Sequence, residues 1–148
     1  MERDAAGVLL YNVDKVLLIQ HKKYRGKYGI PGGKLEGNES PLQAALRECR
    51  EETGLVPTGE PVMLPGPYFL DSEKKRKFSV YYFPSYEGSM SPNPDEGKPD
   101  WYDYREVHSM EGLPNLHEIV AWGMGYRNRN VSVLSFLSRQ RGSSRQTP

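Results

Sequence analysis

The chain has 148 residues, a formal net charge of +1 and one cysteine. That length suits one domain with a sizeable core. The small charge argues against a broad electrostatic grip on nucleic acid or an anionic membrane, and a lone thiol excludes an internal disulfide and points to a reducing compartment. No basic leader with an apolar core opens the sequence, and no apolar run approaches the ~20 residues that span a bilayer. The expectation is a soluble cytoplasmic protein, monomeric or homodimeric.

Residues 5–11 and 15–20 are apolar and β-prone, with Asn12-Val13-Asp14 as turn chemistry between them, which predicts a β-hairpin. Residues 21–28, HKKYRGKY, read as a basic and aromatic loop. It is either a solvated connector or a place where Lys22, Lys23 or Arg25 meets an anion, because it leads into Gly32-Gly33. Those glycines permit a tight loop. Lys34, beside that turn, is the stronger candidate for an anion contact. Ser40 then reads as an N-cap, Pro41 as the first helical residue and Gln43 as the partner in a capping box. Gly54 reads as the stop, so a helix is predicted over Pro41–Thr53.

Beyond the helix, residues 55–64 look extended but irregular because of Pro57 and Pro61. Gly66-Pro67 marks a turn, residues 68–71 a short strand, 71–77 a charged hairpin tip and 78–83 a strand. Residues 87–98 are rich in Gly, Ser, Pro and Asn and read as a long loop of the kind that often carries function. A short aromatic strand is predicted over 101–104 and a turn of helix over 105–110. Asn115 reads as the N-cap of a helix reaching about Tyr126, with Leu116, Ile119, Val120 and Gly123 on its buried face. Residues 131–137 are a final strand or more helix, and 139–148 a basic, polar, disordered tail. The domain is thus expected over 1–138, of α/β or α+β class.

The predicted helix over Pro41–Thr53 has two chemically different faces. Leu42, Ala45, Leu46 and Cys49 follow the i, i+3, i+4, i+7 spacing of a stripe packed on a core. Glu48, Glu51 and Glu52 share another face, where like charges repel. Such a face is either solvated and paired locally to Arg47 and Arg50, or neutralised by a cation. A hard divalent ion takes oxygen ligands, and Mg2+ keeps waters and substrate phosphates in its shell. The second alternative gives a Mg2+ or Mn2+ site beside a glycine loop. His21, His108 and His117 are dispersed in sequence, which argues against zinc.

Gly33, Glu39, Arg47, Glu48, Cys49, Glu51, Glu52, Gly54 and Leu55 fall at the spacing G-x5-E-x7-R-E-U-x-E-E-x-G-U, where U is apolar. This stretch closely resembles the Nudix box, departing only in Cys49, where a larger aliphatic residue is usual. The resemblance implies a three-layer α/β/α sandwich around a mixed sheet. It also implies a Mg2+-dependent enzyme that hydrolyses the pyrophosphate bond of a nucleoside diphosphate-linked substrate. By position, Glu51 and Glu52 are implied metal ligands and Glu48 a further ligand or the helper of the attacking water. The Gly32 carbonyl is a candidate ligand, and Arg47 and Glu39 are supports that orient the acids. Glu96 stands where a loop glutamate completes the metal site in MutT-like members.

Leu113-Pro114-Asn115 falls where some MutT-like enzymes read the nucleobase. The aromatic and acidic residues used there for oxidised purines are absent; Asn115 either pairs with a base edge or caps the helix. The first substrate expected is therefore a nucleoside triphosphate. Nucleotide sugars of the ADP-ribose type or dinucleoside polyphosphates are alternatives, kept open by Pro67 and Tyr68. A nucleic acid such as capped RNA is disfavoured, since no extended basic groove is visible beyond residues 74–77 and the tail. A catalytically silent nucleotide-binding module remains the competing class, against which the retained glutamates speak.

Overall fold

The computed structural model describes residues 3–22, 24–91, 93 and 95–140, with 130–140 described through the backbone alone. Helix α1 (Pro41–Thr53) starts and stops where the sequence places it. The Gln43 amide donates to Ser40 Oγ at 3.1 Å, and the Ser40 amide donates to Gln43 Oε1 at 2.9 Å. This reciprocal pair satisfies two donors that the first turn leaves orphaned. At the other end Gly54 takes φ 82° and its N–H donates to the Arg50 carbonyl, the left-handed stop that glycine adopts without a side-chain clash.

The predicted hairpin is only half present. β2 (Tyr11–Asn12) and β3 (Lys15–His21) pair antiparallel as expected. β1 (Ala5–Leu9) instead joins a different sheet, between β5 (Gly32–Lys34), antiparallel, and β9 (Lys77–Tyr82), parallel. All five residues of β1 are buried. A two-stranded ribbon cannot cover both faces of such a strand, whereas a central place in a mixed sheet can.

The first sheet runs β5-β1-β9-β7, where β7 is Val62–Met63, and β8 (Tyr68–Phe69) also pairs with β9. The second runs β11-β3-β2, where β11 is Gly97–Asp103, with β4 (Tyr28–Gly29) also on β3. A ribbon of β6 (Val56–Thr58) and β10 (Ser85–Glu87) lies apart. Strand β11 (Gly97–Asp103) pairs with β3 along its whole length, from Gly97 opposite His21 to Asp103 opposite Lys15. The strand is thus longer than the 101–104 read from sequence. Pro99 disguised it, yet β11 is an edge strand, where the missing proline donor does least harm.

The two sheets form one layer, with α1 on one side and α2 (Leu116–Gln140) on the other. Strand alternation makes this possible. Ala6, Val8 and Leu17 face Ala44, Ala45 and Cys49 of α1. Leu9, Val16, Leu18, Val80 and Tyr82 face Leu116, Ile119 and Val120 of α2. This is the three-layer sandwich with a mixed sheet. The stripe on α1 is rotated from the predicted one: Ala44, Ala45, Cys49, Glu52 and Thr53 are buried, while Leu42 and Leu46 are only partly so. Small side chains at the centre let the helix lie close on β1.

A 3-10 helix spans Tyr104–Ser109 where a helical turn was expected. Helix α2 runs through 131–137, so the strand alternative fails there. The helix also takes in 139 and 140 of the expected disordered tail, and residues 141–148 lie outside the described residues. Among the described residues no helix is long and apolar enough to cross a membrane.

Two glycines of α2 illustrate how packing sets the sign of a substitution. Gly123 is buried, and a Cβ there would overlap Leu9 Cδ2 and the Tyr11 hydroxyl, which itself donates to the Val120 carbonyl at 2.8 Å. Gly125 has nothing within 4 Å. Gly123→Ala is expected to destabilise by about 1–3 kcal/mol through overpacking, and Gly125→Ala to stabilise by up to about 1 kcal/mol through helix propensity. Urea unfolding of the two variants checks both signs.

Candidate active site

The acidic face of α1 is organised by Arg47. Its guanidinium grips Glu39 with two hydrogen bonds, Nε to Oε2 at 2.6 Å and Nη2 to Oε1 at 3.0 Å. Such a fork is stronger and more directional than a point-charge pair. Nη2 also donates to the Lys34 carbonyl at 3.1 Å, and Nη1 to Glu51 Oε1 at 3.0 Å and Glu48 Oε2 at 3.3 Å. Glu39 in turn accepts from the Glu36 amide at 2.9 Å. One cation therefore ties the end of the glycine strand, the loop over residues 35–40 and the helix into a single frame. The hydrogen bond from Arg47 holds the Glu39 carboxyl below its usual range, helped by the Glu36 amide.

Glu52 sits at the inner edge of that face, 3% exposed. Its Oε1 accepts from the Gly32 amide at 2.8 Å. Burial pushes its pKa up to about 9, and the carboxylates of Glu48, Glu96 and Glu51 push the same way. Glu48 is raised too, by burial first and then by Glu51 and Glu96, against the pull of Arg47. Glu96, one residue before β11, thus lies within electrostatic reach of both. Gly33 lies against the Glu48 carboxylate so closely that a Cβ there would overlap it, and a Cβ on Gly32 would come within 2.6 Å of the Ala6 carbonyl oxygen. Both glycines are needed for close approach.

The candidate substrate residues separate. Lys34 lines a cavity of about 130 Å³ that runs on from Gly32-Gly33. Arg25 is exposed in the loop after β3, has φ 57° and does not line this cavity. Lys23 lies outside the described residues. Asn115 occupies the position before α2 but has φ 71°, and its amide nitrogen donates to the Phe69 carbonyl at 3.0 Å. It neither caps by side chain nor presents that donor to the cavity. Tyr68 is buried in the core on the α2 side. His21, Tyr24 and Arg76 line the cavity and were not singled out from sequence. Only the pairing of β3, β4 and β9 reveals them.

The donor set fits a hard divalent cation: carboxylates and a backbone carbonyl, with the Glu52 and Glu48 carboxyls both raised, Glu48 against the pull of Arg47. As the side chains stand, no three acidic, imidazole or thiol groups among the described residues converge on one point, and Glu51 is turned to Arg47. Because the folded-state pKa of Glu52 lies above its ordinary value of 4.5, its stabilising contribution is complete below that pH. It is lost as pH climbs towards about 9. In metal-free buffer, Glu52→Gln keeps the acceptor for Gly32 and removes the charge. Its melting temperature is expected to equal that of the parent near about pH 5 and to exceed it by a few degrees at about pH 8.5. Scanning calorimetry with a chelator present checks this; parallel profiles would show Glu52 to be solvated.

A family profile described as the NUDIX domain matches residues 1–123. An uncharacterised Nudix hydrolase of Bacillus subtilis, YvcI, is 33% identical over 132 residues, covering 78% of this chain and 75% of that protein. An 8-oxo-dGTP diphosphatase of Proteus vulgaris is 46% identical over a shorter stretch of 54 residues, 34% of this chain and 48% of that protein. Among solved structures, the mutator MutT protein of Bacillus halodurans superposes with a TM-score of 0.65 at 28% identity, covering 81% of this chain and 80% of that one. With the box glutamates, the double-glycine loop and the three layers in place, the chain belongs to the Nudix hydrolase family.

Proposed function

We propose that this Nudix hydrolase cleaves the phosphoanhydride bond of a nucleoside diphosphate-linked substrate, with a nucleoside triphosphate, split in the MutT-like way, as the leading substrate. One observation carries the reading: the Arg47-framed carboxylates lie against the glycine loop from which the cavity opens, with Lys34 on its rim. A nucleotide bound there would place its phosphates by the carboxylates and its remaining bulk in the cavity. The likeness to the Proteus diphosphatase and the Bacillus MutT protein supports the triphosphate as the first choice.

Phosphoryl transfer asks of the protein positioning and charge neutralisation rather than covalent chemistry. Glu48, Glu51, Glu52, the Gly32 carbonyl and Glu96 are the residues that would hold a divalent ion, Mg2+ or Mn2+. Such an ion, when bound, acidifies water and offsets charge on phosphate oxygens. Lys34 brings an ammonium to a phosphate oxygen. Arg47 and Glu39 fix the helix face against the loop. Glu48 either completes the shell of the ion or takes the proton of the attacking water. Nucleotide sugars and dinucleoside polyphosphates lose the support drawn from Tyr68, since that side chain packs in the core.

Release of phosphate and pyrophosphate from a panel of nucleoside triphosphates, nucleotide sugars and dinucleoside polyphosphates tests the reading. Turnover is expected with Mg2+ or Mn2+ and not with a chelator, and to fall roughly a hundredfold or more in Glu52→Gln. Nucleotide binding with no turnover across the panel would make the chain a silent module instead. Arg47→Lys keeps the charge but loses the fork, and is expected to lower turnover about 10–100-fold with folding retained by circular dichroism.

A further inference from the structure

We infer that Gly54 and Ser91 are positioning residues for Glu96: the bare α-carbon of Gly54 and the amide of Ser91 seat the segment that carries Glu96 on the C-terminal end of α1. This rests on the reading of Glu96 as a ligand of the divalent ion and adds how a residue outside every helix and strand is brought to the acidic face.

The last carbonyls of a helix have no partner within it, and a buried one needs a donor from elsewhere. Thr53 directly follows Glu52 and is fully buried. Its carbonyl accepts from the Ser91 amide at 2.7 Å. Gly54 makes that approach possible. A Cβ there would lie 2.7 Å from Ser91 Cβ and 3.0 Å from both the Ser91 nitrogen and the Ser89 carbonyl oxygen. Gly54 thus serves twice, as the left-handed stop of α1 and as the bare surface on which the segment rests. Gly88 passes the same spot, where a Cβ would lie 3.1 Å from the Gly54 carbonyl oxygen. Between them Met90 packs against the cluster that holds Ala44, Ala45 and Cys49.

The far end of the segment is fixed in short steps. The Asn93 carbonyl accepts from the Glu96 amide at 2.9 Å, and Asn93 Oδ1 accepts from the Asp95 amide at 3.0 Å, a turn closed by the side chain as asparagine favours. Gly97 then opens β11 opposite His21. It lies so close to β3 that a Cβ would come within 2.7 Å of the Gln20 carbonyl oxygen. Glu96 is therefore suspended between α1 and β3, within electrostatic reach of Glu48 and Glu52. Backbone anchors on both sides give an irregular segment the defined place that a metal ligand needs.

The test measures the Mn2+ dissociation constant from the electron paramagnetic resonance of free Mn2+, with no nucleotide and no turnover. Glu96→Gln is expected to weaken Mn2+ binding about tenfold, and Gly54→Ala by a similar factor. Combined, the two are expected to weaken it little beyond either alone, since a carboxylate already displaced has no further contribution to lose. Gly54→Ala/Ser91→Gly keeps the backbone strain at position 54 and removes the side chain that the new methyl strikes. It is expected to recover part of the loss. Unchanged affinity in Gly54→Ala, or losses that multiply when it is combined with Glu96→Gln, would overturn the inference and leave Gly54 as a helix stop. No recovery in Gly54→Ala/Ser91→Gly would assign the loss to backbone strain and overturn it as well. Unchanged affinity in Glu96→Gln alone, or a parent protein that binds no Mn2+, would instead show that the reading of the metal site had failed, and the inference with it. If circular dichroism shows Gly54→Ala unfolded, Ser91→Pro takes its place. That variant deletes the amide given to Thr53 and leaves α1 intact, and it is judged by its affinity alone and in combination with Glu96→Gln.

Discussion

The fork between Arg47 and Glu39 is the interaction on which the site depends. Three glutamates within one turn and a half of helix repel one another, and the loop beside them has little regular structure of its own. A guanidinium is the one side chain whose planar set of five donors can hold a carboxylate in two places and still reach a carbonyl and two further acids. Here it does all of these, gripping Glu39, the Lys34 carbonyl, Glu48 and Glu51. The loop is thereby fixed against the helix, and the charge on the acidic face is partly compensated. An ammonium could supply the charge but not the geometry.

What Arg47 leaves uncompensated is as informative as what it satisfies. Glu52 is turned inwards, away from that cation, with the Gly32 amide donating to it and other carboxylates as neighbours. A folding sequence chosen for stability alone would place an apolar residue there, beside Cys49 and Thr53 on the buried face. Holding a carboxyl in that setting weakens the fold at neutral pH, and strongly perturbed acids cluster at functional sites. The small residues Ala44 and Ala45 bring the helix close to β1, and through β1 close to the glycine strand that pairs with it. The same close packing that builds the core sets the distance between acids and loop.

The divergence of the chain at Leu10 has a similar double effect. By leaving the hairpin, β1 joins the sheet that carries the glycine loop, while β3 stays in the sheet that ends at His21. The cavity lies between contributions from the two sheets and the segment leading into α2. Its lining residues are therefore scattered along the sequence, and one element cannot shift without altering the wall that another provides.

The sequence by itself determined α1, its caps, the acidic face, the glycine loop and the family to which these point. Each is encoded locally: a capping box needs residues three apart, a helical face needs spacing of three and four, and a left-handed stop needs a glycine. The box implied that Glu39 and Arg47 support the acids; that the two grip each other is seen only in the structure. Tertiary structure alone decided where β1 goes, how far β11 extends past Pro99, and which side chains share the cavity. The sequence could not say that Asn115 turns to Phe69, that Tyr68 enters the core or that Arg25 stays outside while His21 is enclosed. Those outcomes are fixed by strand pairing between residues tens of positions apart and by burial on both faces of the sheet, which periodicity along the chain does not record.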